Sequence, residues 1–286
     1  MKGKYPIIWL CELLGVSRSG YYKAKKRGPS ARQRRDAELA PRIADSHRRS
    51  RRTYGAPRIV KDLREEGVRM GRGRCGRLMK AQGLRGRKKH CRKPRTTDSR
   101  HTKAPAPNRL AERAAPTDRD QVWVTDITCI PTDEGWLYLA AIVDLWSRRV
   151  VGWACGPTMH VSLVLTALRR ALAQRQPPAG LLHHSDRGSQ YAAHEYTTAL
   201  AAAGLVASMS RAGNCYDNAF IESFWSTCKS DTQLDHLVLA TRREVELVIF
   251  DYIETFYNPT RRHSSLGYLS PAAFESQPTK TDKSAA

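Results

Sequence analysis

The 286-residue chain has little of what marks a secreted or membrane protein. Its seven cysteines are an odd number, are scattered, and include no CxxC pair. They predict reduced thiols rather than a disulfide framework. The sequence also lacks a long apolar helix, a secretory leader and a lipidation signal, which argues against a membrane-associated protein. We expect a cytoplasmic protein.

Two further absences narrow the class of protein. Cys75, His90 and Cys91 lack the paired spacing of a zinc finger, so we expect no structural zinc. The sequence contains no heptad run, so it predicts no coiled coil in this chain. Neither of these common modules is expected to explain how the protein works.

What the chain has in excess is positive charge, and that charge lies in one half. The net charge is +22. Residues 1–120 hold 35 Lys and Arg against 11 Asp and Glu, whereas residues 121–286 hold 14 against 16. A basic segment beside a near-neutral one is typical of a nucleic-acid-binding module attached to an enzyme.

The basic half has apolar positions at helical spacing, so we expect it to be folded. Residues 1–35 predict a helix-turn-helix-like segment, with an apolar face formed by Ile8, Leu10, Cys11 and Leu14, and Ser17 as a helix cap. Residues 36–92 predict a second helix-turn-helix-like domain that binds DNA. Three arginines surround the start of its last helix, where a recognition helix would meet DNA: Arg72, Arg74 and Arg77.

Residues 93–118 predict a linker, because they are basic, contain proline and have no periodicity. Residues 119–276 predict an α/β domain, and residues 277–286 predict a disordered tail. Within the α/β domain the order of elements is β-β-β-α-β-α-β-α, followed by a helix over residues 242–257. That order alone admits several α/β folds.

Three carboxylates in this domain indicate a common site. Asp126 lies inside the strand-like run VWVTDITCI, where a buried ion needs a compensating partner. Asp186 ends a short apolar run, and Glu222 lies on a helix after a Gly-containing loop. One group in a strand, one at a strand end and one on a helix can converge at the edge of a sheet.

At these residues the chain resembles a known family. The matching motifs are WVTDIT, GWLYLAAIVDLWSRRVVGWA, HHSDRGSQY, SRAGNCYDNAFIESFW and FYNPTRRHSSLGYLSP. They are similar to those of the transposases of the IS3 group of bacterial insertion sequences, within the wider DDE transposase and retroviral integrase superfamily. In that family 35 residues separate the second and third acidic groups, as they separate Asp186 from Glu222, and a basic residue follows at the position of Lys229.

The resemblance implies a fold and an activity. It implies a ribonuclease H-like core, with a mixed five-stranded sheet and helices on both faces. It also implies that the protein binds the terminal inverted repeats of its element, cleaves them and transfers them to target DNA. Asp126, Asp186 and Glu222 would bind two Mg²⁺ ions, for which Mn²⁺ would substitute, with Asp126 bridging both. Without metal, repulsion would raise the pKa of at least one carboxyl.

Other residues have two interpretations each. Asn218 orients Glu222 or contacts DNA, or it only caps the helix. Lys229 holds a terminal phosphate, or it is an exposed lysine. Arg261 and Arg262 touch DNA, or they cap the preceding helix. We expect His183 and His184 to be structural rather than metal ligands.

The partners and the alternatives also follow from the resemblance. Two DNA ends must be joined, so we expect a homo-oligomer on DNA in the bacterial nucleoid. The chain is also expected to be a second reading-frame product that acts with an upstream reading-frame protein. The main alternative is a DNA-binding protein or repressor without catalysis. A plain ribonuclease H-like nuclease is a narrower alternative, because it would not need a large basic half.

Overall fold

The computed structural model describes residues 5–87, 105–211, 219–234 and 236–277. The chain divides into two compact units, residues 1–86 and 87–286. The boundaries predicted from the sequence at residues 35, 92, 118 and 276 stay predictions. No helix in the described ranges has both the length and the apolar character needed to cross a membrane.

The first unit is helical. Its described helices are α1 (Ile7–Leu13), α2 (Arg18–Lys26), α3 (Ala31–Arg49), α4 (Ala56–Glu65) and α5 (Arg72–Ala81). Ser17 caps α2 as predicted, because its hydroxyl oxygen accepts from the backbone N–H of Gly20. Of the apolar face predicted for the first helix, only Cys11 is buried, and Leu14 is 71% exposed.

The core of this unit lies between α3, α4 and α5. Apolar side chains from all three helices are almost fully buried there: Leu39, Ile43, Ile59, Leu63 and Cys75. Across the α3–α4 contact, the Ser46 hydroxyl donates to the carboxylate of Asp62 at 2.6 Å. The predicted helical region before the α/β domain is confirmed.

The second unit contains a five-stranded mixed sheet. Its strands are β1 (Val122–Thr132), β2 (Gly135–Asp144), β3 (Val150–Gly156), β4 (Leu182–Ser185) and β5 (Val206–Met209), in the spatial order β3-β2-β1-β4-β5. The first three strands form an antiparallel meander, whereas β4 lies parallel to both β1 and β5. This arrangement confirms the ribonuclease H-like fold class.

Helices cover both faces of the sheet. The α-helices described in this unit are α6 (Val161–Arg175), α7 (His194–Ala202), α8 (Ala219–Thr232), α9 (Arg242–Phe250) and α10 (Pro271–Glu275). Trp123 and Ile127 of β1 belong to the apolar core that includes side chains of α6 and α7. Because side chains alternate along a strand, Asp126 points to the opposite face, where α8 packs on β1.

Gly152 in β3 allows α6 to approach the sheet closely. A Cβ atom at this position would lie 2.4 Å from the carbonyl oxygen of Ala167 and 2.7 Å from the Cβ of Ala171. We expect Gly152→Ala to cost about 1–3 kcal/mol, because helix and sheet must separate to admit the methyl group. Thermal unfolding measures this loss. Gly156→Ala is the matched control, since its nearest contact would be an ordinary 3.4 Å, and equal melting temperatures for both variants would contradict the account.

The helix predicted over residues 242–257 changes its character part-way. The chain is α-helical in α9 and π-helical over Asp251–Tyr257, with four of the seven π-helical side chains buried. The wider turn leads into Asn258, whose side chain bonds both the N–H and the C=O of Val150 at 3.0 Å. The hydrogen bonds between Asn258 and Val150 of β3 therefore accompany the wider π-helical turn. The α-helical periodicity of the sequence did not predict this turn.

A buried ion network connects α10 to the end of α6 and to the residue before β3. Arg175 at the end of α6 donates to Asp120 and to Glu275 of α10, and Arg149 donates to Glu275 at 2.9 Å. The side chains of Arg175, Asp120 and Glu275 are 7%, 10% and 4% exposed. Removing one of these buried charges would leave its partners without compensation and would destabilise the second unit.

Candidate active site

Two of the three predicted carboxylates lie next to the last paired residues of two neighbouring strands. In the parallel pairing of β1 and β4, Val124 is opposite His184 and Thr125 is opposite Ser185. Asp126 directly follows Thr125 in β1, and Asp186 directly follows Ser185 at the end of β4. Neighbouring strands lie about 4.8 Å apart, so the register brings these two aspartates together at the end of β4.

The third carboxylate comes from α8. Glu222 is in the first turn of this helix, and Trp225 lies one turn further along the same side. The indole Nε1 of Trp225 donates to Oδ2 of Asp126 at 2.9 Å. This hydrogen bond holds α8 against β1 and brings the side of the helix that carries Glu222 to the aspartate pair.

The carboxylates interact electrostatically. Burial, together with the negative charges of Asp186 and Glu222, raises the pKa of Asp126 to about 8, and the hydrogen bonds from Trp225 and the Ile127 backbone only partly oppose this. The direction agrees with the sequence-based expectation that repulsion raises one carboxyl pKa. Burial and the charges of Asp126 and Asp186 also raise the pKa of Tyr191, on the other face of β1.

The site offers oxygen ligands for a divalent cation. No group of three or more His, Cys, Asp or Glu side chains in the described ranges is arranged so that it could hold a metal ion. Mg²⁺, however, is usually bound through one or two carboxylates, with water and substrate phosphate supplying the other ligands. The neighbouring Asp126 and Asp186 fit that requirement, and a cation between them would offset the buried negative charge.

Known proteins resemble this chain along almost its whole length. Two family models described as "Integrase core domain" match residues 116–215 and 203–271, and one described as "HTH-like domain" matches residues 33–92. A transposase, InsF of insertion sequence IS3A from Escherichia coli (strain K12), is 36% identical over 279 residues, which is 96% of each chain. The chain belongs to the IS3 family of transposases. It is an insertion-sequence transposase and, by its integrase core, a polynucleotidyl transferase.

An insertion-element protein and a viral intasome are also similar to this chain. An "Insertion element IS600 uncharacterized 31 kDa protein" from Shigella sonnei is 49% identical over 266 residues, covering 93% of this chain and 97% of that one. A simian T-cell lymphotropic virus intasome in complex with a PP2A regulatory subunit gives a TM-score of 0.49 at 14% identity, covering 83% of this chain and 76% of that one. The first of these extends the similarity to another insertion element.

The basic residues of the transposase that were predicted near the site are held by the protein itself. Lys229 is half-buried, and its Nζ donates to the backbone carbonyl of Cys129 at 2.8 Å. Arg261 is buried in an ion pair with Asp231 of α8, to which the hydroxyl of Tyr252 also donates. Arg262 donates to the carbonyl of Tyr268 at 2.9 Å. Asn218 lies outside the described residues.

The three arginines of α5 differ from one another. Arg72 is exposed. Arg74 and Arg77 both donate to the carboxylate of Asp36 on α3 at 2.7 Å, and these two hydrogen bonds lower the pKa of Asp36. Arg74 and Arg77 therefore join α3 to α5, while Arg72 and Arg77 have the exposure that a phosphate contact requires.

Three residues near the site were missed from the sequence. Trp225 is a buried side chain of α8, and its indole N–H donates to Asp126. Ser210 and Arg187 were not singled out, although Arg187 Nε donates to the carbonyl of Ser210 at 2.8 Å beside Asp186. The spacing of three between Glu222 and Trp225 was the signal that could have revealed the tryptophan, because such positions share one side of a helix.

Proposed function

We propose that this transposase cleaves the ends of its insertion sequence and joins them to target DNA, with Asp126, Asp186 and Glu222 as the ligands of two Mg²⁺ ions. The observation that carries the proposal is the β1–β4 register, which makes Asp126 and Asp186 neighbours. The influence of Glu222 on the pKa of Asp126 supports the inclusion of the third carboxylate.

Each residue has a part in this chemistry. When bound, two divalent ions activate the attacking oxygen and stabilise the leaving oxygen of a phosphodiester. Asp126 and Asp186 would hold them at the end of β4, and Glu222 would complete the ligand set from α8. Trp225 would fix the orientation of the Asp126 carboxylate by its hydrogen bond to Oδ2. Water would serve as the first nucleophile, and the freed 3′-hydroxyl as the second.

The helical unit would supply recognition of DNA. We infer that it binds the terminal inverted repeats, since its HTH-like region contains the exposed Arg72 at the start of α5. The excess of positive charge in residues 1–120 would add phosphate contacts whose strength falls with salt. Synapsis of two ends would require an oligomer, and an upstream reading-frame protein would be a further partner.

Strand cleavage and joining on a labelled duplex with the element's own end tests this function. The wild type is expected to yield products with Mg²⁺ or Mn²⁺, and Glu222→Gln is expected to reduce the rate at least about 1,000-fold, because it removes a charged ligand while keeping the side-chain shape. Glu195→Gln is the matched control, since Glu195 also lies in the first turn of a helix but is exposed. The assay is run with and without any upstream reading-frame protein.

The alternative of a DNA-binding protein without catalysis predicts a different outcome. End binding would then persist with no cleaved or joined product from the wild type under any of these conditions. Equal activity of the wild type and Glu222→Gln would instead contradict the assignment of the third carboxylate.

A further inference from the structure

A chain of buried polar side chains crosses the sheet face that carries Asp126. The parallel registers place Val124, His184 and Ser208 next to one another on β1, β4 and β5. Because side chains alternate along a strand and His184 is opposite Val124, His184 points to the face of the sheet that carries Asp126. His184 is 0% exposed and Ser208 is 1% exposed. This polar row therefore lies inside the protein, directly before the aspartate pair.

Hydrogen bonds connect the row from end to end. The backbone N–H of Arg109 donates to Ser208 Oγ at 3.0 Å. Ser208 Oγ lies 2.9 Å from His184 Nδ1, and His184 Nε2 lies 3.0 Å from Ser210 Oγ. Ser210 Oγ lies 3.4 Å from the backbone carbonyl of Ser185. Five residues thus form one continuous relay, which we call the His184 relay.

The two ends of the His184 relay fix its direction. A backbone N–H can only donate and a backbone carbonyl can only accept. The Arg109 N–H therefore leaves the Ser208 hydroxyl free to donate to Nδ1 of His184. The ring must then carry its proton on Nε2 and donate to Ser210 Oγ, whose own proton goes to the Ser185 carbonyl. This arrangement gives every hydroxyl and ring nitrogen of the relay a hydrogen-bond partner.

The relay ends where the Asp186 turn meets the chain that leads to α8. The backbone N–H of Ser210 donates to the carbonyl of Ser185 at 2.9 Å. The carbonyl of Ser210 accepts from Arg187 Nε at 2.8 Å. Ser210 is therefore held from both sides of Asp186, and it is the last buried residue described before α8. A shift of Ser210 would move Asp186 relative to the helix that carries Glu222.

We propose that His184 is a positioning residue for the metal ligands, acting through Ser210 in the Nε2–H form that the Arg109 backbone imposes. This inference rests on the proposed function. It also gives residues 105–118, which the sequence predicts to be part of a linker, a role at the site, because Arg109 starts the relay and Ala106 packs against the sheet core. Docking of this segment and the geometry of the site would be coupled.

The ring tautomer of the wild-type protein is the first test, because it does not depend on activity. Nitrogen-15 NMR of the full chain without metal, with His184 assigned by His184→Gln, is expected to show a neutral ring protonated on Nε2. A ring protonated on Nδ1 would overturn the relay. This measurement also stands if a relay variant fails to fold.

The second test is the Mg²⁺ concentration that gives half-maximal strand cleavage. We expect Ser208→Ala to raise this Mg²⁺ concentration about 10-fold, as changes behind metal ligands typically do. The single variant His184→Gln is expected to keep most of the wild-type value, because an amide can both accept and donate. Tyr196→Phe is the matched control, since it removes a buried hydroxyl 3.3 Å from Nε2 of His183 on the opposite face. It should change the value less than about 2-fold.

The outcomes separate the two proposals. Equal effects of Ser208→Ala and Tyr196→Phe would overturn the positioning role while the proposed function stands. The absence of cleaved or joined product from the wild type under every condition would instead remove the proposed function, and the tautomer measurement would still decide whether the relay exists.

Discussion

Asp126→Asn is expected to abolish DNA strand cleavage and, in metal-free buffer at pH 7, to raise the melting temperature of the protein. The pKa of Asp126 is raised to about 8 by burial and by the charges of Asp186 and Glu222. A carboxyl whose pKa is higher in the folded state opposes folding as the pH rises above its ordinary value. Asparagine removes that cost and keeps an oxygen that can accept from Trp225.

Thermal unfolding as a function of pH measures the stability effect. The advantage of the variant should be absent below about pH 4, grow up to about pH 8, and reach roughly 3 °C or more at neutral pH. Added Mg²⁺ should stabilise the wild type and leave the variant unchanged. The control is Asp133→Asn at an exposed position near the end of β1. A variant less stable than the wild type at neutral pH without metal would contradict the account.

Arg175→Met is expected to cost about 3–5 kcal/mol of unfolding free energy, because it leaves Asp120 and Glu275 buried without their shared cation. Methionine keeps much of the side-chain volume, so the loss reports charge rather than a cavity. Urea unfolding measures it. Arg243→Met is the matched control, since Arg243 is 71% exposed and pairs with Glu246 within one helix turn.

The control has a definite expected result. Exposed ion pairs contribute at most about 1 kcal/mol, so Arg243→Met should leave the unfolding midpoint nearly unchanged. Equal losses of unfolding free energy in the two variants would show that the buried ion network contributes no more to stability than an exposed ion pair. A loss in Arg175→Met that Asp120→Asn relieves would show that the uncompensated carboxylate is the cause, because Glu275 still pairs with Arg149.

Local patterns in the sequence predicted most of the second unit. The strand meander, α6 and α7 follow from runs of apolar residues with period 2 or 3.6, and the structure has all of them in the predicted order. The resemblance to a family then supplied the arrangement of the strands, which the order of elements had left open. The structure confirms that arrangement through the antiparallel and parallel pairings.

Contacts between distant parts of the chain could not be predicted in this way. The sequence suggested that Asp126 and Asp186 converge, but only the register of two strands separated by dozens of residues makes them neighbours. Arg261 was interpreted as a DNA contact or a helix cap, whereas it is buried against Asp231, because a charge pair of this kind depends on tertiary packing. The π-helical turn before Asn258 likewise occurs together with a tertiary contact, the hydrogen bonds between Asn258 and Val150 of β3, and no local pattern predicted it.

The most direct measurement of the central claim is a titration of Mn²⁺ followed by electron paramagnetic resonance, in the presence of the element's DNA end. Wild-type protein is expected to bind two ions per site, and Asp126→Asn, Asp186→Asn and Glu222→Gln are each expected to lose at least one of them while DNA binding is retained. Asp133→Asn should bind like the wild type. If all three variants bind Mn²⁺ as the wild type does, Asp126, Asp186 and Glu222 are not the ligands and the account is wrong.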